Sequence, residues 1–572
     1  MTRAPDLVVL NGRLMTFAPE TPTSETPAAE IAAAEALAID GNRISAVGTT
    51  AQIRALIGPG TKVLDAQGAT VLPGFIESHV HLFTAAAELE YLDVMAIRGE
   101  VALRDAVRAY AAAHPDDVLV YAISGTYDLL GPGHVINRHD LDRILPDRPF
   151  AIFCADHHTM WANTAALARA GILHGAEVET GSEVVMGADG LATGELRENG
   201  AFGPVLRLSR FGGREMMGML TGRSPDPAPS AAERALDRAA LARGLAHCAR
   251  HGITTLHNMD GNIYTLELLE ELQAEGQLPC RVDVPFHLKN FDPPERLTEA
   301  EEMRARWNGA HLSVSRVKLF MDGVIENRTA LMVQPYPGTT THGEPVFSHE
   351  AFARACVEAD ARGFQICVHA VGDLGVRRTI DAFAAARAVN GPRDSRHRIE
   401  HIELIHPDDL PRLTDLGIVA SLQPGHSPAG GYFPFHDGEE GEPGLLHEAQ
   451  IPTAYAWREI RARAVRTIFS SDWPVIPVDV LRSVRAAVAP DALPAPWRDQ
   501  SQTLDEALRA YTVDAAWVEG HEESKGRLAV GYLADITVLA RDITALAPDC
   551  LDQAGIRATI CDGRITWSAP DA

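Results

Sequence analysis

The sequence predicts an α/β fold: a distorted (β/α)8 TIM barrel with a small β-sandwich domain formed by both termini and an inserted subdomain. From Gly74 onward, eight apolar, strand-like runs alternate with helical stretches, which is the pattern of a parallel barrel. Both ends of the chain instead carry short alternating strands around Asn-Gly and Asp-Gly turn signals. The eight runs are "GFIESHVH", "GITTLHNM", "RVDVPFHL", "SRVKLF", "FQICVHA", "RIEHIEL", "GIVASLQP" and "VRTIFSSD".

The stretch between the first two runs predicts an insertion. It contains two further strand patterns, "VLVYAISG" and "PFAIFCADHH", and it ends in the Pro/Gly-rich segment "TGRSPDPAPS". We therefore expect residues 74–524 to form the barrel, with the insertion at about 100–230. Residues 1–73 and 525–572 form the N-terminal and C-terminal parts of the β-sandwich.

Composition and charge narrow the class of protein. The chain has 572 residues, of which 46% are hydrophobic and 22% are charged, as in ordinary globular proteins. A net charge of -26 argues against nucleic acid and against anionic membrane surfaces, because both require clustered cations. The seven cysteines are scattered and form no CxxC pair, and neither a secretion signal nor a membrane-spanning run is visible. We expect a cytoplasmic protein.

Polar residues recur near the C-terminal ends of the predicted strands, where barrels carry their catalytic groups. The strand period of two places His79 and His81 on one face, although about one His-x-His is expected by chance among 23 histidines. The whole set is harder to explain by burial, since apolar residues are the default in a core. Its members are His79, His81, Lys318, His369, His401 and Asp472.

These residue types suit metal-dependent hydrolysis. Imidazoles and a carboxylate are ligands for a divalent ion such as zinc. A buried lysine with a lowered pKa can take up CO2, and the resulting carbamate can bridge two ions. Two ions would lower the pKa of a shared bridging water and polarise a carbonyl group. Asp472 would take the proton from this water and pass it to a leaving amine, so that an amide-like C–N bond is cleaved.

The motifs, in their order, resemble those of the amidohydrolase superfamily over nearly the whole chain. The resemblance is to amidohydrolase family 3, the group that includes N-substituted formamide deformylases. It is carried by "LPGFIESHVHL", "VKLFMDGVIENRTA", "VHAVGD", "RIEHIELIHPDDL", "VASLQP", "SSDWPV", "TLDEALRAYTVDAAW" and "GRLAVGYLADITVLARD".

The resemblance implies a binuclear centre. His79 and His81 would bind one zinc ion with Asp472, and His369 and His401 would bind the other. A CO2-derived carbamate on Lys318 would bridge the two ions. The family also implies a small-molecule substrate and a homo-oligomer, for which we expect a dimer.

Two segments of the insertion are similar to family segments near the substrate. "CADHHTMWANTAAL" makes His158, Trp161 and Asn163 candidate substrate contacts, and "GELRENG" adds Glu198. Structural packing explains "HHTMW" about equally well. The residues after Asp322-Gly323 differ from the family pattern, so the resemblance does not define which substrate is bound.

Other interpretations remain at this point. The same site could serve deamination, ester hydrolysis, decarboxylation or isomerisation, since one fold hosts many chemistries. A non-catalytic interaction protein is a third class, although such a protein has no need of six ligand-type residues. Lys318 could be an uncarboxylated lysine beside a single ion, and His369 and His401 could be core histidines. The remaining histidines, including His426, His436 and His447, are expected at the surface.

Overall fold

The computed structural model describes residues 3–18, 34–155, 157–178, 182–432 and 444–570. The chain separates into two compact units: Met1–His81 with Leu245–Ala572, and Leu82–Gly244. The residue range of the second unit includes the insertion predicted at about 100–230. His436 lies outside the described residues.

All eight predicted runs contain β-strand. Neighbouring runs pair in parallel in chain order, and a parallel bridge joins Val80, at the end of the first, to Trp473, just beyond the eighth. Parallel pairing matters because it brings the C-terminal ends of the strands to one edge. The strands are Phe75–Val80, Ile253–Asn258, Arg281–Asp283 with Phe286–His287, Leu312–Ser313 with Arg316–Phe320, Gln365–Ala370, Arg398–His401, Val419–Leu422 and Thr467–Phe469.

The third run is interrupted at Pro285, between Arg281–Asp283 and Phe286–His287. Proline has no N–H to give to a neighbouring strand, so the ladder breaks there. The fourth run is unbroken, but a separate short strand, Leu312–Ser313, precedes it, and these two strands pair separately with the two parts of the third run. The eight runs therefore form a four-stranded sheet and a six-stranded sheet.

Helices follow most of these strands. Ser348 caps the helix His349–Ala361, because its hydroxyl accepts a hydrogen bond from the backbone N–H of Ala351. The helices of this unit are Thr50–Arg54, Ile263–Ala274, Leu297–Arg306, His349–Ala361, Asp373–Asn390, Leu410–Leu416, Trp457–Ala462, Val480–Val488, Leu504–Ala510 and Val513–Val518, and Ala231–Arg250 belongs in part to each unit.

The two termini of the chain form two further sheets. The first joins Arg43–Gly48, Ala36–Asp40, Leu7–Leu10 and Lys62–Asp65, in that order. The second joins Arg13–Leu14, Thr70–Pro73, Ile536–Leu539, Ile556–Cys561 and Arg564–Ser568. Buried side chains of both sheets, such as Leu37 and Val538, belong to one hydrophobic cluster.

The predicted Asn-Gly turn has a different role from the Asp-Gly turns. Asp40-Gly41 and Asp562-Gly563 connect paired antiparallel strands, as the sequence predicts. Asn11-Gly12 instead carries the chain from the first terminal sheet to the second, because Leu7–Leu10 and Arg13–Leu14 have different partners. Asn11 has a φ of 56°, a conformation that asparagine tolerates better than most residues.

The unit Leu82–Gly244 has a six-stranded sheet of its own. Both strands that the sequence predicts there are present, at Val120–Gly125 and Phe150–Cys154. The strand order is Glu183–Met186, Ala192–Arg197, Thr159–Ala162, Phe150–Cys154, Val120–Gly125 and Leu92–Asp93. The helices are Leu82–Glu88, Glu100–Ala113, Arg138–Ile144, Thr164–Arg169, Glu198–Leu206 and Met217–Leu220.

All seven cysteines are free thiols, and six of them are buried. Within the described ranges, no helix combines the length and the apolar character that crossing a membrane would require.

A buried ion pair fastens the third strand to the C-terminal sheet, and we expect its loss to destabilise the protein. Arg281 donates from Nε to Oδ2 of Asp535 over 2.8 Å and from Nη2 to Oδ1 of Asp562 over 2.9 Å. Arg281→Ala leaves Asp535 buried without its cation, which costs about 3–5 kcal/mol in free energy of unfolding. Urea unfolding measures this, with the exposed Arg3→Ala as a control that changes stability by less than about 0.5 kcal/mol. An equal midpoint for both variants would contradict the prediction.

Candidate metal centre

The first two predicted ligands lie at the end of the strand Phe75–Val80. His79 is the fifth residue of this strand, and His81 is the first residue after the strand ends. The two residues are two positions apart, so both rings leave the same face, with their centroids 5.5 Å apart. Nε2 of His79 and Nε2 of His81 each lie 3.3 Å from Oδ1 of Asp472. The structure therefore brings these three predicted ligands together.

Their spacing fits a metal ion. Ligands about 2.0–2.2 Å from a tetrahedral zinc ion lie about 3.3–3.6 Å from one another, which includes the observed spacing. Oδ1 of Asp472 is buried and has no hydrogen-bond partner among the described residues. A buried carboxylate oxygen without a donor is costly, and a cation between it and the two imidazoles removes that cost. The donor set of two nitrogens and one carboxylate oxygen thus fits a zinc-like ion.

Two acidic side chains orient the imidazoles. Nδ1 of His79 lies 2.8 Å from Oε2 of Glu400, and Nδ1 of His81 lies 2.9 Å from Oδ2 of Asp260. An ionised carboxylate accepts a hydrogen bond, so each Nδ1 carries a proton and each Nε2 is the nitrogen that would bind an ion. Arg398 holds Glu400 in turn, with Nε 2.5 Å from Oε1 and Nη2 2.9 Å from Oε2.

The pKa values show that the position attracts positive charge. Burial raises the pKa of Asp472, but His79 and His81 outweigh it and hold this pKa well below the usual range. Burial lowers the pKa of His79 to about 4. Burial also lowers the pKa of His81, but Asp260 and Asp472 raise it to about 9. Asp472 is therefore an ionised carboxylate, and the raised pKa of His81 shows that the surroundings of this ring favour positive charge.

Backbone geometry fixes Asp472 after the last strand. Its φ is 61°, in the left-handed region that few residues other than glycine, asparagine and aspartate enter. Its backbone N–H donates to the carbonyl oxygen of His79 over 2.9 Å. The strained turn and this hydrogen bond together place the carboxylate against the two imidazoles.

Lys318 lies in the strand Arg316–Phe320 and is fully buried. Its Nζ has no hydrogen-bond partner among the described residues and lies 4.7 Å from the centre of the Phe320 ring. Burial lowers the pKa of Lys318, so the neutral amine forms more readily than in an exposed lysine. A neutral amine is the form that reacts with CO2, as the predicted carbamate requires.

His369 and His401 also converge, with ring centroids 4.5 Å apart, and the His401 ring lies 5.1 Å from that of His79. Burial lowers the pKa of His369 to about 3 and that of His401 well below its ordinary value. Both imidazoles are therefore neutral, as ligands must be. Nδ1 of His401 lies 2.9 Å from Oε1 of Gln423, whereas His369 uses Nε2 to donate to the Gly323 carbonyl oxygen over 3.1 Å.

The expectation that His426 lies at the surface is wrong. Its side chain is 11% exposed, and its donor atoms lie with those of His401 and Asp472 within 4.8 Å of one another. Among the described residues, this group and the group of His79, His81 and Asp472 are the candidate metal clusters. The segment "QPGHSP" has no strand periodicity, so the sequence offers no register that would direct His426 inward.

Two predicted substrate contacts have structural roles in the second unit. Asn163 is fully buried and caps the helix Thr164–Arg169. Its Oδ1 accepts from the N–H groups of Phe150 and Ala166, and its Nδ2 donates to two carbonyl oxygens. Trp161 is buried in a hydrophobic cluster. Both side chains are occupied by packing or hydrogen bonds within this unit, and their contact with substrate stays a prediction.

The other two predicted contacts form a pair. Nδ1 of His158 lies 3.0 Å from Oε1 of Glu198, and the backbone N–H of Glu198 donates to the carbonyl oxygen of His158. Both side chains are partly exposed. Glu198 has a φ of 60°, a strained conformation for a non-glycine residue that occurs preferentially at functional sites. Their contact with substrate stays a prediction.

Most of the chain matches a known protein family. The profile of the amidohydrolase family matches residues 62–567, which includes every predicted ligand. The chain belongs to the amidohydrolase family. This membership supports a hydrolase acting on C–N bonds and confirms the resemblance that the motifs carry.

Individual relatives of this amidohydrolase match over nearly their whole length. The chain is 27% identical over 541 residues to the protein YtcJ of Bacillus subtilis, covering 92% of this chain and 95% of YtcJ. It is 27% identical over 586 residues to the N-substituted formamide deformylase of Arthrobacter pascens, covering 99% of each chain. The crystal structure of a metal-dependent hydrolase from Pyrococcus horikoshii has the same fold, with a TM-score of 0.69, 22% identity and coverage of 95% and 99%.

We expect the carboxylate behind His81 to control metal affinity in this amidohydrolase. Asp260→Asn replaces the carboxylate with an amide that holds the Nδ1 proton less strongly, so the zinc Kd should rise about 10–100-fold. Competition with a chromogenic chelator measures this Kd. Asp408→Asn, at an exposed carboxylate, is the control and should leave the Kd unchanged. An unchanged Kd in Asp260→Asn would show that His81 does not bind the ion whose Kd is measured.

Proposed function

We propose that the protein is a metal-dependent amidohydrolase that cleaves a non-peptide, amide-like C–N bond of a small molecule. The proposal rests on one observation above all. Nε2 of His79 and Nε2 of His81 each lie 3.3 Å from Oδ1 of Asp472, a buried carboxylate oxygen with no hydrogen-bond partner among the described residues. This arrangement suits a divalent cation and is costly without one.

The residues fit two zinc ions. His79, His81 and Asp472 would hold the first, and His369 and His401 would hold the second, with a carbamate on Lys318 between them. The buried amine of Lys318, which has no hydrogen-bond partner among the described residues, supports this assignment. When bound, the ions would supply a bridging water of lowered pKa and a Lewis acid for the substrate carbonyl.

Asp472 moves the proton in this mechanism. The oxygen of the attacking water adds to the carbonyl carbon, and its proton passes to the carboxylate of Asp472. Asp472 then gives this proton to the nitrogen, the C–N bond breaks, and a carboxylic acid and an amine leave. The lowered pKa of Asp472 keeps it ionised at neutral pH, so it is ready to accept the proton.

An N-formyl or N-acyl amine is the substrate class that we favour, because the deformylase of Arthrobacter pascens matches this chain along 99% of both lengths. His158 and Glu198 are the proposed substrate contacts. Their 3.0 Å contact would fix the ring of His158, and the exposed edges of both side chains could then bind the polar part of a substrate.

We also infer the architecture of the fold, the cellular location and the oligomeric state of the protein. The eight parallel runs, with the bridge from Val80 to Trp473, suit a distorted (β/α)8 barrel, and the two terminal sheets with their common cluster suit a β-sandwich. The free cysteines fit a cytoplasmic protein. A homodimer rests on the family resemblance alone, and sedimentation of the purified protein would test it.

Elemental analysis and a substrate screen test the proposed function together. We expect about two zinc-like ions per chain, and release of a primary amine and an acid from a panel of N-formyl and N-acyl amines. Chelation should abolish the activity, and added zinc should restore it. Release of ammonia would instead indicate a deaminase, and a chain that binds no metal would indicate a non-catalytic protein.

A further inference from the structure

His426 has an imidazole nitrogen that the predicted ligand set leaves unused. Its Nε2 is buried and has no hydrogen-bond partner among the described residues. Its other nitrogen, Nδ1, lies 3.7 Å from Oε1 of Glu403. A buried ring nitrogen without a partner is costly, so a cation or a donor is expected to face it.

The surroundings of His426 repeat those of three predicted ligands. Each of His79, His81 and His401 has its Nδ1 beside a side-chain oxygen, which leaves Nε2 for a metal ion. Glu403 supplies the corresponding oxygen to His426. The phenol of Tyr455 donates to Oε2 of Glu403 over 3.1 Å, which orients the carboxylate. An acceptor that orients a histidine is the usual companion of a metal ligand.

The distances bring His426 into the second half of the centre. The rings of His401 and His426 are nearly parallel, with centroids 5.9 Å apart and an interplanar angle of 11°. One donor atom from each of His401, His426 and Asp472 lies within 4.8 Å of the others. Asp472 thus belongs to both groups: Oδ1 faces His79 and His81, and one carboxylate oxygen lies within 4.8 Å of a donor atom of His401 and of His426.

We propose that His426 is a further ligand of the second ion, which it would bind together with His369, His401 and Asp472. In this arrangement the carboxylate of Asp472 would serve both ions. The inference rests on the proposed function and adds to it a ligand from the segment after the strand Val419–Leu422. Glu403 is a positioning residue in this arrangement, because it holds His426 without contacting the ion.

A purely structural role for His426 makes a different prediction. If the ring only pairs with Glu403, its loss lowers stability and leaves metal binding unchanged. If it is a ligand, its loss weakens the second ion selectively. Binding of Co²⁺ to the metal-free full-length protein distinguishes the two roles, because its visible absorption reports ligand number independently of activity.

The experiment compares wild type, His426→Asn, Glu403→Gln and the control His406→Asn, whose histidine is partly exposed beside Asp408. We expect two ions in wild type and in the control. His426→Asn should weaken the second Kd by more than about 100-fold and leave the first within about threefold. Glu403→Gln should weaken the second Kd about 10–100-fold. Should His426→Asn fail to fold, Glu403→Gln supplies the measurement.

The outcomes separate this inference from the proposed function. Two ions bound by His426→Asn with wild-type Kd values and an unchanged Co²⁺ spectrum would overturn the inference and leave the hydrolase standing. A single ion in wild type, bound equally well by His426→Asn, would do the same. A wild-type chain that binds no ion would overturn the proposed function itself.

Discussion

Replacing Asp472 with asparagine is expected to lower kcat by about 10²–10⁴-fold, the usual contribution of a positioned general base. The amide cannot accept a proton from water, and it brings no negative charge to the oxygen position between His79 and His81. The fold should persist, because asparagine also tolerates the left-handed conformation that Asp472 adopts, with a φ of 61°. Steady-state kinetics on the best substrate of the N-acyl amine screen, with circular dichroism alongside, measures both.

Asp479→Asn is a matched control for this substitution. Asp479 caps the helix Val480–Val488, and asparagine caps a helix about as well as aspartate. Its kcat should therefore equal that of the wild type. A wild-type kcat in Asp472→Asn would exclude Asp472 as the group that moves the proton.

Replacing Lys318 with alanine is expected to reduce the metal content from two ions per chain to one or none. The carbamate would supply an oxygen to each ion, and neither alanine nor methionine can form it. Lys318→Met tests the same point with less loss of packing volume in the buried strand Arg316–Phe320. Elemental analysis of both variants gives the metal content.

CO2 provides a second test of Lys318. Metal loading of the wild type should fall in CO2-free buffer and recover with bicarbonate, whereas loading of Lys318→Met should not respond. Lys62→Ala, at an exposed position of a terminal strand, controls for the loss of a lysine. Two ions in Lys318→Met would rule out the bridging carbamate, and the centre would then depend on histidines and carboxylates alone.

The strands that carry the ligands could be predicted from sequence, because each is an apolar run with a polar residue near its C-terminal end. His79 and His81 on Phe75–Val80, and His369 on Gln365–Ala370, follow directly from this pattern. The interruption of the third run was not predicted, although Pro285 marks it. A proline inside an apolar run breaks the ladder even where the run as a whole reads as strand.

The residues that support the ligands could not be predicted in the same way. Asp260, Glu403 and Gln423 lie in irregular segments after strands, where no period indicates which way a side chain points. His426 follows Pro424 and Gly425 and was expected at the surface for the same reason. Its place in the centre is decided by contacts between distant segments, which a single sequence does not contain.

Asn163 shows the opposite case, in which a local signal was available. It precedes the helix Thr164–Arg169, and an asparagine before a helix is a common N-cap. The resemblance to a substrate-lining segment suggested a substrate contact, whereas the capping role follows from the local sequence. For a short polar residue at the start of a helix, hydrogen bonding to the backbone N–H groups is the first role to consider.

The pairing of the two termini has a consequence for biogenesis. Thr70 donates its hydroxyl to Asp542, 472 residues further along the chain, and Thr70–Pro73 directly precedes the strand that carries His79. Contacts this distant form late in folding, and domains assemble as translation proceeds from the N-terminus. The histidines emerge from the ribosome long before the residues that fix them. We therefore expect a metal ion at the proposed centre to be acquired only after the chain has been synthesised beyond Asp472.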